Sequence, residues 1–79
     1  MNKVIKMTLL DAPQNVWLRV LEFKDEKLQM KLAGHGVFIG DRLRVLREAP
    51  LKGPLMIDLS GRQIALGRDV VKKIFVELE

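Results

Sequence analysis

The sequence predicts a mainly β domain, a small barrel of about five strands with one short helix inserted among them. Three observations predict it. First, 79 residues suffice for a single domain spanning 1–79, and a domain of that size buries only about 60% of the surface its unfolded chain exposes. Second, short runs of alternating apolar and polar residues are separated by clusters of Asp, Asn, Pro and Gly, the punctuation of strands and turns. Third, one stretch has helical spacing. It runs into Gly34, Gly36 and Gly40, and the basic alternating segment Asp41-Arg42-Leu43-Arg44-Val45 follows directly.

The elements follow in order. Val4 to Leu10 is apolar and partly β-branched, and ends at the turn-rich Asp11-Ala12-Pro13-Gln14-Asn15. Val16 to Phe23 predicts a strand with Val16, Leu18 and Val20 on one face and Trp17, Arg19 and Leu21 on the other, apolar on both. Asp25 is a helix cap, with Glu26 in the first turn where the helix dipole favours acid. Leu28, Leu32 and His35 share one helical face, and Gly34 and Gly36 are expected to stop the helix in the left-handed conformation.

Beyond Gly40, Arg42 to Arg47 predicts a strand whose Leu43 and Val45 oppose Arg42 and Arg44. The alternation fails at Leu46, which predicts a bend or bulge. Pro50-Leu51-Lys52-Gly53-Pro54 is a loop. Leu55, Ile57 and Leu59 then alternate with Met56, Asp58 and Ser60, and a tight turn at Ser60-Gly61 or Gly61-Arg62 leads into Gln63 to Leu66. A short helical piece at Arg68 to Lys72 precedes a last strand, Lys73 to Leu78, with Ile74, Val76 and Leu78 inward.

Composition narrows the function. There is no cysteine, which excludes disulfides and thiolate metal sites and fits a reducing, cytoplasmic location. The longest run without Asp, Glu, Lys or Arg is Leu32 to Gly40, far short of the about 20 residues that cross a bilayer. No signal sequence opens the chain. The net charge of +4 is dispersed and describes a solvated surface better than a nucleic-acid footprint. Four aromatic residues, Trp17 with three Phe, are few for stacking bases. Nucleic acid is therefore not expected, although Asp41-Arg42-Leu43-Arg44 would also open a small RNA-binding barrel.

Chemistry-bearing side chains are scarce: one Ser, one Thr, one His and no Tyr. Ser60 belongs to a turn, Asp25 and Glu26 to a helix cap, and His35 to an apolar stripe where a packed, hydrogen-bonded ring is expected. Neither catalysis nor a metal site is expected from these residues. The glycines Gly34, Gly36 and Gly40 follow a helix and open a strand, the reverse of a dinucleotide loop. Protein binding is the class with positive signals. Leu51 stands between Pro50 and Pro54, either an apolar tip or a leucine folded back on the barrel. Trp17, Leu21 and Phe75 are out of phase with the inward positions of their strands, either covered by the helix or exposed as a patch. Arg42 and Arg44 share an outward face suited to an acidic surface. Pro50, Leu51, Pro54, Arg42 and Arg44 are the expected contact residues.

From Met7 onward the chain resembles the ferrous iron transport protein A (FeoA) family, also found as the C-terminal SH3-like domain of some metal-responsive repressors. Lys31 and Leu32 fit the family's helix end, Gly36 and Gly40 its spaced glycines, and Ala49-Pro50-Leu51-Lys52-Gly53-Pro54 its loop. Ala65-Leu66, Val71 and Ile74 to Val76 fit its closing segment. Lys31 stands for the family's arginine, His35 for its Leu or Met, Ile39 for its Pro, and Gly67 for the arginine expected directly after Ala65-Leu66, with Arg68 one position later. The resemblance implies an SH3-like barrel and a non-enzymatic accessory role in ferrous iron uptake. It implies docking on the cytosolic part of a membrane iron transporter that carries a GTPase domain (FeoB-like), and membrane proximity through that partner only. Ferrous iron or another divalent metal enters as a ligand by resemblance alone, and a metal-sensing role is the corresponding rival. A monomer or weak homo-oligomer is expected.

Overall fold

The structure, a computed structural model, describes residues 6–79. The apolar Val4 and Ile5 of the expected first strand lie outside the described residues. The elements are β1 (Met7–Thr8), β2 (Leu18–Phe23), α1 (Glu26–Ala33), β3 (Arg42–Glu48), β4 (Leu55–Leu59), β5 (Arg62–Leu66), α2 (Arg68–Val71) and β6 (Ile74–Leu78). The six strands form one antiparallel sheet in the order β1-β6-β2-β3-β4-β5. The mainly β prediction holds, with one strand more than expected. Among the described residues no helix is long and apolar enough to cross a membrane.

The core follows from the alternation. Leu18, Val20, Leu43, Val45, Ile57, Ile74 and Val76 each expose 2% of their surface or less, and Leu9, Leu32, Val37 and Val71, from outside the strands, join them in one core. Two bulges curve the sheet. One lies in β3 between Val45 and Arg47, at Leu46, where alternation fails in the sequence. The other lies in β2 between Val20 and Glu22, so Phe23 takes the inward position that strict alternation gives to Glu22. The strand also starts at Leu18, and Val16 is only half-buried outside it. The Ser60-Gly61 turn has positive φ at both residues (53° and 93°) and joins β4 to β5 with Leu59 opposite Arg62. Leu78, expected inward, is 52% exposed at the end of β6.

Asp25 caps α1, its Oδ1 accepting from the Leu28 N–H at 2.8 Å. The other end corrects the expected double glycine stop. Gly34 is right-handed (φ −63°), and only Gly36 has positive φ, at 81°. The Val37 N–H donates to the Leu32 carbonyl at 2.9 Å and the Gly36 N–H to Ala33 at 3.0 Å, the paired bonds of a Schellman stop. Leu32 and Val37, both buried, supply its apolar contact. His35 lies within this turn and is exposed, so it is not the packed histidine that the apolar stripe predicts. The periodicity ends with the helix, and the chain turns before the ring reaches the core.

Candidate functional site

The β3–β4 connection is a rigid apex. The Ala49 N–H donates to the Pro54 carbonyl at 2.9 Å, and the Gly53 N–H bonds Pro50 at 3.2 Å and Ala49 at 3.3 Å. Leu51 and Lys52 between them both take positive φ, 60° and 58°. A side chain in that conformation costs roughly 1–2 kcal/mol, and neither residue relieves it as Asn or Gly would. Gly53 is demanded by space, since a Cβ there would lie 2.9 Å from Ala49 Cβ and 3.1 Å from the Pro50 carbonyl oxygen. The outcome is a leucine with 99% of its surface in water. It does not fold back onto the barrel. Pro50, Lys52 and Pro54 around it are exposed as well.

Arg42 and Arg44 lie near the other end of β3 and are engaged within the molecule. Their guanidinium carbons sit 4.6 Å and 4.7 Å from the Trp17 ring centroid. Arg42 Nε donates to Glu79 Oε2 at 2.5 Å, and Arg19 Nη2 lies 3.8 Å from the same oxygen. Arg19 and Arg42 face each other across β2 and β3, so Glu79 relieves a like-charge pair. The hydrogen bond from Arg42 is the main cause holding the Glu79 carboxyl below its usual range. Arg44 Nε donates to Asp58 Oδ2 at 2.9 Å, and Asp58 Oδ1 accepts from the Gly61 N–H at 2.8 Å. The rings of Trp17 and Phe75 are thus met by cations, Phe75 by Lys6 at 4.8 Å, and both are half-buried. The expected contact residues fall into two groups. Six residues of strand, about 20 Å at strand rise, separate Arg42 from the start of the apex.

A third feature escaped sequence reading. A groove of about 700 Å³ runs between the end of α1 (Lys31 to Gly36) and β5 with the start of α2 (Arg62, Ile64 to Gly67, Val70). Arg62 spans it, its Nη2 donating to the His35 carbonyl at 3.0 Å. A Cβ on Gly36 would lie 2.5 Å from that nitrogen. The spaced glycines were the only signal in the sequence, and they do not reveal which arginine needs the space. Among the described residues no three His, Cys, Asp or Glu side chains gather to hold a metal ion.

A family model described as the FeoA domain matches residues 7–78. The chain belongs to the FeoA family. FeoA proteins are tied to ferrous iron transport, and their fold is the SH3-like one expected from the sequence. A relative from Methanocaldococcus jannaschii named "Putative Fe(2+) transport protein A" is 40% identical over 47 residues, 60% of this chain and 55% of that protein. The match spans little more than half of that curated relative's length. A manganese-dependent transcriptional repressor superposes with a TM-score of 0.85 at 18% identity, over 100% of this chain and 45% of that one. The crystal structure of an iron uptake regulatory protein (FeoA) superposes with a TM-score of 0.77 at 22% identity, over 92% of this chain and 96% of that one. At such identities the two superpositions show the FeoA fold alone.

Proposed function

We propose that this chain is a non-enzymatic docking module of ferrous iron uptake. It seats the β3–β4 apex on the cytosolic part of a membrane iron transporter that carries a GTPase domain. The observation that carries this reading is Leu51, 99% exposed and held in a left-handed conformation between two prolines. Burying a leucine yields about 1.5–3 kcal/mol, and a preset turn loses little entropy on binding. Arg42 and Arg44, already paired, would act chiefly by steering an acidic partner.

The test is calorimetry of the full chain against the transporter's cytosolic GTPase domain in each nucleotide state. Leu51→Ala should weaken binding by roughly 10- to 100-fold, and Leu51→Asp should abolish it with unchanged circular dichroism. Unaltered affinity in Leu51→Asp would remove the apex from the contact. Absence of binding in every nucleotide state at low salt would remove this partner and leave the family and fold in place.

A further inference from the structure

We propose that β5 is a recognition edge for an acidic, extended peptide of a partner protein, which adds to the sheet as a strand and lays side chains in the adjoining groove. This site is separate from the β3–β4 apex and does not depend on it.

β5 ends the sheet order, and among the described residues no strand pairs with its outer side. Its free groups follow from the turn. Across a two-residue hairpin loop the flanking residues exchange both backbone hydrogen bonds, here Leu59 and Arg62. The pattern then alternates, so Arg62, Ile64 and Leu66 direct N–H and C=O towards β4. Gln63 and Ala65 direct theirs outward, and both residues are exposed. An edge with outward donors and acceptors is a template for another strand, and this one has no proline or bulge to block it.

The groove lies along this edge. Four consecutive residues, Ile64 to Gly67, line it. Ile64, Ala65 and Leu66 belong to β5 and Gly67 follows it. Successive side chains in a strand point to opposite faces, so a cavity touched by all three strand residues meets β5 from its side. Leu32, Ile64, Leu66 and Val70 supply apolar surface, while Lys31, His35 and Arg62 supply basic groups. No carboxylate lines it, and Asp69 adjoins only its Gly67 end. Charge selects the occupant. A second copy pairing β5 with β5 would set these basic groups against each other, whereas glutamates in an extended peptide would meet them favourably. The Arg62 bond to the His35 carbonyl links both walls, so the groove is already formed.

The test is an NMR titration of the full chain with a short blocked peptide alternating valine and glutamate, and with its lysine-for-glutamate counterpart. The glutamate peptide should shift and protect the Gln63 and Ala65 amides most, and the lysine peptide should not bind. Ala65→Pro removes an outward N–H without touching the β4 ladder, and should weaken binding about tenfold or more. Lys31→Glu should also weaken it, and Leu51→Asp should leave it unchanged. Should Ala65→Pro misfold, the wild-type chain with a peptide N-methylated at alternate amides gives the same reading, and binding should be lost. Shifts elsewhere, no shifts, equal binding of the lysine or N-methylated peptide, or a β5-paired dimer in sedimentation would each overturn the proposal.

Discussion

Asp58 is buried, with 8% of its surface exposed, and both carboxylate oxygens are used, one by the Gly61 N–H and one by Arg44. The Gly61 bond is the largest cause of its lowered pKa, with Arg44 adding to it against the opposing effect of burial. A carboxyl whose pKa is lowered by folding adds stability above its unfolded value, 3.8 for Asp. That contribution disappears as pH falls through the lower folded value. The melting temperature of the wild type should therefore exceed that of Asp58→Asn at neutral pH, and the gap should close below about pH 4. Leu51 and Lys52 illustrate the opposite balance, local strain retained for an exposed side chain. Replacing them with Asn-Gly should stabilise the fold by roughly 1–2 kcal/mol in urea denaturation while removing the apolar contact of the proposed docking site.

At the scale of elements, the end of α1 depends on one glycine of two. Gly36→Ala forces a side chain into positive φ and onto Arg62, and should cost about 1–3 kcal/mol. Gly34→Ala sits in right-handed backbone, and should be neutral or stabilise by up to roughly 1 kcal/mol. Chemical denaturation of both variants tests the assignment of the stop to Gly36. The same turn explains why His35 escapes the core although it shares a helical face with Leu28 and Leu32 on paper. Helical spacing describes a residue's direction only while the helix lasts. In β2 the bulge at Leu21 likewise shifts the inward parity to Phe23, and the only trace in the sequence is an aromatic residue one place out of phase.

For the whole molecule, β6 is the strand on which the rest depends. It lies between β1 and β2, so residues from opposite ends of the chain meet one strand in from the β1 edge of the sheet. Ile74 and Val76 are fully buried there. Ile74→Ala should cost about 2–5 kcal/mol, a large part of the roughly 4–12 kcal/mol that a domain of this length holds. Urea titration should show a lower midpoint with an unchanged slope if unfolding stays two-state.

The sequence by itself determined the mainly β class with its inserted helix, the Asp25 cap, the Leu46 bulge, a tight turn at Gly61 and the family. Each of these is written in neighbouring residues, where propensity, alternation and turn chemistry act over a few positions. Only the tertiary structure decided that Leu51 points into water, that Arg42 and Arg44 are engaged by Trp17, Glu79 and Asp58, and that a basic groove follows the open edge of β5. The last two outcomes join residues far apart in the chain, such as Arg42 with Glu79 and His35 with Arg62. Local spacing carries no information about such pairs, because sheet order and register alone bring them together.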